Sequence, residues 1–258
     1  MFRKINTILQ GPTGSGKTYS LRSAVETGLE LFVIATEPGI ENILGDLPPD
    51  RCHWQYIPPA VSDWDVMIRS ANNINTLPQD ALQRSDGGRS NYRQFIDVLE
   101  ACSDFVCDRT GEHFGAIDNW NTSRMVAFDG MSGLSIMAMD LVAGNKPMKT
   151  QADWGMAMDN LERLITKLTC ATKCSFTMIC HQDREPDEIN GGTKVTVSTL
   201  GRKLAPKIPR FFDEVVQTVR RDKEFYWSTA ESGVDLKSRL LPISDKLRPS
   251  FELLFGDN

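Results

Sequence analysis

A pattern near the start of the chain has the residue types and spacing of a phosphate-binding loop. It consists of Gly11, Pro12, Thr13, Gly14, Ser15, Gly16, Lys17 and Thr18. Glycines allow backbone N–H groups to wrap around phosphate oxygens, and the positive end of a following helix faces the same anion. Lys17 is expected to neutralise the β and γ phosphates, and Thr18 is expected to offer its hydroxyl to Mg²⁺. The pattern therefore predicts a site for ATP with Mg²⁺.

A second candidate ligand for Mg²⁺ is Asp129, which ends an apolar run over residues 124–129. Enzymes with a phosphate-binding loop use a carboxylate in such a position to hold the metal ion. The alternative is an acidic residue that only terminates a strand. We expect Thr18 and Asp129 to form the metal site together.

Apolar runs and helical periodicity predict the elements that position these residues. Strands are predicted over residues 5–10, 29–36, 52–57, 124–129, 175–180, 215–219, 224–229 and 236–241, and helices over 17–26, 64–71 (capped by Asp63), 92–106 and 153–170. The polar stretch 73–91, which contains Pro78 and two adjacent glycines, predicts a surface loop or insertion. Together these elements predict an α/β fold with a mostly parallel central sheet, helices on both faces and a small antiparallel edge near the C-terminus.

The length and composition fit one globular domain over residues 1–258. Apolar residues make up 40% and charged residues 24% of the chain, and no apolar run reaches the roughly 18 residues of a membrane span. The N-terminal stretch leads directly into the phosphate-binding loop without room for a cleavable signal peptide, so we expect a cytoplasmic protein. A net charge of −5 argues against a uniformly basic nucleic-acid surface, so any DNA contact has to be local.

One local stretch is basic. Residues 189–212 lack Asp and Glu and contain Lys194, Arg202, Lys203, Lys207 and Arg210. These charges predict binding to the phosphates of single-stranded DNA, with a steep dependence on salt because residues 189–209 have no aromatic side chain to stack on bases. The alternative is a solvated basic loop that meets no nucleic acid.

The order of motifs along the chain resembles that of the RecA-like ATPases. After the phosphate-binding loop come residues 126–132, then His181-Gln182, then Lys237-Ser238-Arg239. The resemblance is in particular to compact phage-encoded ATP-binding proteins that assist single-strand annealing or recombination, which would act in the host cytoplasm. It covers most of the chain except a variable insertion at about residues 60–115, and it implies a RecA-like P-loop NTPase core with ATPase activity.

The resemblance also implies roles for residues outside the loop. Glu37 follows the second core strand, where the family has a glutamate that orients or deprotonates the attacking water. His181 and Gln182 follow the strand over residues 175–180, where the family has side chains that sense the γ-phosphate. Because the carboxyl ends of parallel strands meet at one edge, Glu37 is expected to share a crevice with the phosphate-binding loop and Asp129, and His181 and Gln182 are expected to reach the same edge. A solvated loop glutamate at Glu37 and a structural role for His181 remain alternatives.

Lys237 and Arg239 alternate on the run over residues 236–241, which places both on one face of the predicted strand. The resemblance implies that this pair reaches the γ-phosphate of a neighbouring subunit. The protein would then be a homo-oligomer, a ring or a filament, with ATP at subunit interfaces. The alternative is a solvated edge strand whose cations oppose aggregation.

Two functions from different classes follow. The first is a DNA-dependent ATPase that assembles on single-stranded DNA, since residues 189–212 have the position of the family's second DNA-binding loop and Lys146 and Lys149 that of its first. The second is a switch or assembly factor driven by nucleoside triphosphate that acts on a protein partner. A small-molecule kinase is a weaker third, because no arginine-rich lid is placed to close over the phosphates.

Overall fold

A computed structural model describes residues 2–84, 87–186, 191–201 and 203–256. Its strands are β1 (Asn6–Gln10), β2 (Glu30–Ala35), β3 (Cys52–Tyr56), β4 (Arg124–Asp129), β5 (Ser175–Cys180), β6 (Gln182–Pro186), β7 (Thr193–Val197), β8 (Glu214–Arg221) and β9 (Glu224–Ser228). Its helices are α1 (Lys17–Ser20), α2 (Arg22–Glu26), α3 (Ile40–Leu44), α4 (Trp64–Thr76), α5 (Gln79–Arg84), α6 (Gln94–Ser103), α7 (Met131–Ala143), α8 (Gln151–Thr166) and α9 (Glu252–Phe255). Short 3₁₀ turns lie at Arg89–Asn91, Ile117–Asn119 and Ile208–Phe211, and a π-helical segment, Lys167–Ala171, follows α8.

Seven of the described strands form one sheet in the order β3-β2-β4-β5-β1-β8-β9. Neighbouring strands from β3 to β8 are parallel, and β9 pairs antiparallel with β8 at the edge. The predicted α/β fold, with its mostly parallel sheet and small antiparallel edge, is confirmed. Because the strands are parallel, the segments that follow β1, β2, β4 and β5 all begin at the same edge, which we call the carboxyl edge.

Apolar side chains cover both faces of this sheet. Alternate residues along each strand point to opposite sides, so Ile34 and Phe128 belong to one buried cluster and Val33 and Ala127 belong to the other. Helices α6, α7 and α8 pack on the first cluster, and α2, α3 and α9 pack on the second. The predicted helices on both faces are confirmed.

The basic stretch over residues 189–212 contains a strand, β7. Strand β7 pairs antiparallel with β6 to form a separate two-stranded sheet, which we call the β6–β7 hairpin. Gly191 and Gly192, just before β7, have positive φ angles of 74° and 87°. The sequence of β7, with valine and threonine in alternation, is typical of a strand.

The strand predicted over residues 236–241 is wrong. This segment forms one isolated bridge, between Lys237 and Val215 of β8, and no regular ladder. The buried carboxylate of Glu214 accepts hydrogen bonds from the backbone N–H groups of Arg239 at 2.8 Å and Leu240 at 2.7 Å. A side chain therefore occupies the donors that a neighbouring strand would use.

The region from residue 60 to 91 is more helical than predicted. Helix α4 continues to Thr76, and α5 follows it inside the stretch predicted as a loop. Asp63 occupies the N-cap position, but its side chain makes no capping hydrogen bond. Helix α6, later in the span predicted as an insertion, contributes Phe95, Val98 and Ala101 to the core. None of the described helices has the length and apolar character needed to cross a membrane.

Candidate active site

The phosphate-binding loop connects β1 to α1 at the carboxyl edge of the sheet. Gly14 and Gly16 have φ angles of 75° and 86°, a region that favours glycine. A Cβ atom at Gly11 would lie 2.3 Å from Oγ1 of Thr218 on β8, so this position has no room for a side chain. The Ser15 hydroxyl lies 2.7 Å from the same Thr218 oxygen. Strand β8 therefore fixes the path of the loop.

Lys17 is buried beneath the loop, with 7% of its surface exposed. Its Nζ atom donates hydrogen bonds to the carbonyl oxygens of Gly11 and Pro12, both at 2.9 Å. Burial lowers the pKa of Lys17, although the nearby carboxylates of Asp129 and Glu37 oppose this effect. A buried ammonium group that bonds to neutral carbonyls can transfer those bonds to phosphate oxygens, which are stronger acceptors.

Thr18 and Asp129 lie together, as the sequence predicts. The Thr18 hydroxyl donates a hydrogen bond of 2.7 Å to Oδ2 of Asp129, whose side chain is buried. Burial raises the pKa of Asp129 to about 6, despite the bond from Thr18, and the charge of Glu37 adds to the rise. A hydroxyl and a carboxylate side by side are ligands that Mg²⁺ accepts, and a cation here would offset the burial of the carboxylate. The two residues fit the metal.

Thr36, which the sequence analysis did not select, holds the end of β4 in place. Its hydroxyl accepts a hydrogen bond from the backbone N–H of Gly130 at 2.9 Å and lies 3.0 Å from the carbonyl oxygen of the same residue. Helix α7 packs directly against it, because a Cβ atom at Gly133 would lie 2.2 Å from Thr36 Oγ1. The Thr36 side chain thus positions Asp129 from the neighbouring strand. No pattern in the sequence marks a threonine that acts on another strand.

Glu37 and His181 meet at the same edge. Oε1 of Glu37 lies 3.4 Å from Nε2 of His181, and both side chains are partly exposed, at 44% and 31%. The Cα of Gly130, next to Asp129, also faces this carboxylate, because a Cβ there would lie 3.3 Å from Glu37 Oε1. Gln182 begins β6, and its buried Nε2 atom has no hydrogen-bond partner among the described residues. Asp129, Glu37 and His181 therefore line one crevice, whereas Gln182 is not among the residues that line it.

A crevice of about 940 Å³ extends from the phosphate-binding loop along α1. The loop, Asp129, Glu37 and His181 line one part of it. The rest of the wall includes Tyr19, Arg22, Ile43, Phe225 and Arg248. Tyr19 and Phe225 are large hydrophobic residues that are nevertheless exposed to solvent, at 65% and 45% of their surface. The crevice offers aromatic and apolar surface next to an anion site, and no motif in the sequence points to these five residues.

Lys237 and Arg239 lie far from this crevice. Val215, which bridges to Lys237, pairs with Ile8 in the middle of β1, and Asp213, the partner of Arg239, bonds to Asn6 at its beginning, whereas the phosphate-binding loop follows the end of β1. Arg239 forms an ion pair of 2.8 Å with Asp213. Lys237 donates hydrogen bonds to backbone carbonyls in the segment before β8, among them that of Phe212. The two cations lie at the opposite edge of the sheet, which we call the amino edge.

The predicted DNA-binding residues differ in their surroundings. Lys194 pairs with Asp235 at 2.8 Å, and Lys207 pairs with Glu162 at 2.9 Å. Lys203 and Arg210 are exposed and form no ion pair among the described residues. Arg202 lies outside the described residues. The stretch is therefore less positive in the folded chain than its sequence suggests, because carboxylates from distant segments neutralise part of it.

Lys146, which matched the position of a first DNA-binding loop, is engaged inside the chain. It forms an ion pair of 3.1 Å with Asp153, and both side chains are largely buried. Asp153 in turn accepts a hydrogen bond from the N–H of Thr150, completing a capping box at the start of α8. Lys149 is exposed. Lys146 therefore supports the start of α8 in this structure.

Comparison with known proteins gives one match to a family. A family model described as an AAA domain matches residues 3–240. A crystal structure of the RadB recombinase superposes with a TM-score of 0.37 and 13% sequence identity, covering 95% of this chain and 86% of that one. Similarity at that level supports no conclusion about function. None of the curated proteins matches the sequence.

Proposed function

Because the chain belongs to the AAA domain family and is therefore a P-loop NTPase, we propose that it hydrolyses ATP and acts on single-stranded DNA. The role would be in recombination, annealing or replication of the phage type, in the cytoplasm. The observation that carries the proposal is the convergence of Lys17, the Thr18–Asp129 pair and the Glu37–His181 pair in one crevice.

In this proposal the residues of the crevice divide the work of phosphoryl transfer. Lys17 binds the β and γ phosphates, and Glu37 accepts a proton from the attacking water. His181, whose Nε2 lies 3.4 Å from Oε1 of Glu37, orients that carboxylate and reports the state of the γ-phosphate to β6 through Gln182. Mg²⁺, held by Thr18 and Asp129, supplies positive charge to the phosphate oxygens when it is bound.

The remaining part of the crevice suits the base and sugar of the nucleotide. Tyr19 and Phe225 present aromatic faces, and Ile43 adds an apolar surface. Flat aromatic and apolar walls next to a phosphate site are the usual surroundings of a nucleobase.

Lys237 and Arg239 take part, in our proposal, in the active site of a second copy of the chain. Their place at the amino edge separates them from the phosphate-binding loop of their own chain. Trans-acting arginines raise rates of phosphoryl transfer by about 10³ to 10⁵. A homo-oligomer, either a ring or a filament, would bring the amino edge of one copy to the carboxyl edge of the next.

Single-stranded DNA would bind at the β6–β7 hairpin and at the exposed cations that follow it. The base of the hairpin is attached to the active site, because the N–H of Ser198 donates a hydrogen bond of 2.8 Å to the carbonyl oxygen of His181. Lys203 and Arg210 are available to phosphates, and Lys194 and Lys207 would exchange their carboxylate partners for DNA. We include Arg202 in this surface on its sequence position alone.

A second candidate is a nucleotide-driven switch that acts on a protein partner. It is favoured by α4, none of whose residues is buried and whose exposed apolar side chains include Trp64, Met67 and Ile68. Large exposed apolar patches are typical of protein interaction sites. In this alternative Lys194 and Lys207 would keep their partners Asp235 and Glu162, and the basic stretch would contact no nucleic acid.

Steady-state hydrolysis of ATP, measured with and without single-stranded DNA at low and moderate salt, separates the two candidates. Lys17→Ala serves as the blank. We expect turnover that depends on Lys17, increases with DNA and loses this increase as salt rises. Lys17-dependent turnover that is indifferent to DNA at low salt would overturn the DNA proposal in favour of the protein partner.

A further inference from the structure

The hairpin formed by β8 and β9 stands directly over the phosphate-binding loop. Arg220 of β8 is paired with Phe225 of β9, and residues opposite each other in an antiparallel pair share a face. A ring carbon of Phe225 lies 3.1 Å from the position that a Cβ atom at Gly16 would take. A guanidinium nitrogen of Arg220 lies 3.9 Å from the corresponding position at Gly14. The side chains of Arg220 and Phe225 therefore lie next to Gly14 and Gly16, the two glycines of the loop that have positive φ angles.

Arg220 differs from the other arginines around the crevice in having no carboxylate partner among the described residues. Arg22 forms an ion pair with Asp46, and Arg248 forms one of 2.8 Å with Glu252. The guanidinium of Arg220 instead lies 5.5 Å from the centroid of the Phe225 ring. An aromatic face holds an arginine in place and leaves its N–H donors free for an anion.

We propose that Arg220 contacts the triphosphate bound in its own subunit, as a cis-acting arginine that Phe225 holds in position. The inference rests on the proposed function, because it requires ATP in the crevice. During hydrolysis the oxygen of water bonds to the γ-phosphorus as the bond from phosphorus to the β,γ-bridging oxygen breaks. The proton of water passes to Glu37, and negative charge grows on the ADP leaving group. A guanidinium above Gly14 stabilises that charge.

This role is distinct from that of Lys237 and Arg239. Those two cations lie at the amino edge and depend on a second copy, whereas Arg220 is next to the loop of its own chain. Arg220 would therefore strengthen ATP binding in an isolated subunit. An isolated subunit does not benefit from Arg239.

The neighbouring Arg221 provides a matched control. It is also exposed and also lies over an aromatic ring, that of Tyr226 at 5.9 Å. Because it is the next residue of the same strand, its side chain points to the other face of the hairpin, away from the loop. Arg220→Ala and Arg221→Ala thus remove the same charge from adjacent positions, one facing the nucleotide and one not.

The experiment measures Kd for ATP and for ADP by fluorescence titration, and kcat at saturating ATP, for wild type, both alanine variants and Arg220→Lys. We expect Arg220→Ala to weaken ATP binding about tenfold, to affect ADP less, and to lower kcat by about 10 to 100 times. Arg220→Lys should recover part of the loss, and Arg221→Ala should behave as wild type. Thermal unfolding without nucleotide, unchanged in every variant, shows that the effect is on the nucleotide and not on the fold.

Two results would overturn the inference in different ways. Equal effects of Arg220→Ala and Arg221→Ala, with wild type binding and hydrolysing ATP in a Lys17-dependent manner, would remove Arg220 from the site and leave the proposed function intact. Failure of the wild type itself to bind ATP better than Lys17→Ala would remove the proposed function and this inference with it.

Discussion

Each edge of the central sheet has a buried carboxylate and basic residues, but these groups bond to different partners at the two edges. At the carboxyl edge, Asp129 is a buried carboxylate whose one hydrogen-bond donor among the described residues is the hydroxyl of Thr18. At the amino edge, Glu214 is a buried carboxylate that accepts two backbone N–H groups. The cations differ in the same way, since Lys17 bonds to loop carbonyls while Arg239 has its own acidic partner, Asp213.

The difference lies in how well each buried acid is compensated within the chain. A buried acid with a raised pKa is poorly compensated within the chain, and a cation from outside restores its balance. Glu214 is compensated at one oxygen, since Oε1 accepts both amide hydrogen bonds, while its buried Oε2 has no hydrogen-bond partner among the described residues. Asp129 thus keeps a raised pKa with one hydroxyl donor among the described residues, whereas Glu214 is held by two amides, and Lys237 and Arg239 bond to groups of their own chain.

The largest effect in a test of this comparison should come from Glu37→Gln. The amide keeps the shape of the side chain and its place next to His181, but it cannot accept a proton from water. We expect nucleotide binding to be retained and kcat to fall by about 10² to 10⁴. Fluorescence titration with ATP and single-turnover hydrolysis measure the two quantities separately. Normal turnover by this variant would remove Glu37 as the base.

A second test compares the two buried acids by their effects on stability. Asp129→Asn removes a charge that burial disfavours, so unfolding free energy without Mg²⁺ or nucleotide should rise at neutral pH, while hydrolysis is lost. The rise in unfolding free energy is at most about 3 kcal/mol, because each pKa unit corresponds to about 1.4 kcal/mol and burial raises the pKa of Asp129 from 3.8 to about 6. Glu214→Ala should lower stability by about 1 to 3 kcal/mol for each amide left without a partner. Denaturant unfolding measures both, and changes of the same sign would contradict the contrast.

The carboxyl group of Asp129 also makes the stability of the fold depend on pH. In the unfolded chain Asp129 ionises near pH 3.8, and in the native chain near pH 6, so the native state binds the extra proton between these values. Its contribution to stability is complete below about pH 3.8 and is lost as the pH rises through 6. Asp129→Asn should remove this decline between pH 4 and 6. An unchanged pH profile in the variant would show that the carboxylate is not the cause.

The smallest effect tests the support of Asp129 by its neighbour. Thr36→Val keeps the shape of the side chain but removes the hydrogen bond from Gly130, so we expect a loss of about 1 to 3 kcal/mol in unfolding free energy and a lower kcat. Thr7→Val is the matched control, because the buried hydroxyl of Thr7, near the amino edge, has no hydrogen-bond partner among the described residues. A change of the same size in both variants would show that the Thr36 hydroxyl does not specifically support Asp129.

The sequence predicts the carboxyl edge better than the rest of the chain. The phosphate-binding loop has a fixed spacing, and β4 and β5 are mostly apolar runs whose observed bounds equal the predicted ones. Strand ends of a parallel sheet then bring Asp129, Glu37 and His181 together without further information. At this edge the sequence motifs and the sheet topology predict the same arrangement of residues, which is why the prediction succeeds there.

Prediction failed where long-range contacts decide the structure. The strand predicted over residues 236–241 is prevented by Glu214, which lies in a different segment of the chain. Helix α7 is apolar on nearly all sides because it is buried between the sheet and its neighbouring helices, so it lacks the one-sided pattern that reveals a helix. Arg220 lies over the loop only because β8 and β9 pair across it, and no local spacing indicates that position.

The central claim is that the two edges form one active site only between two copies of the chain, and mixing two inactive variants tests it most directly. Lys17→Ala lacks a working phosphate-binding loop, and Arg239→Ala lacks the trans-acting arginine, so each alone should be inactive with ATP and single-stranded DNA. In an equal mixture about one quarter of the interfaces of a randomly mixed oligomer should join an intact loop to an intact Lys237–Arg239 pair. The account predicts turnover near that fraction of wild type. A mixture no more active than its components, or full activity of Arg239→Ala alone, would contradict it.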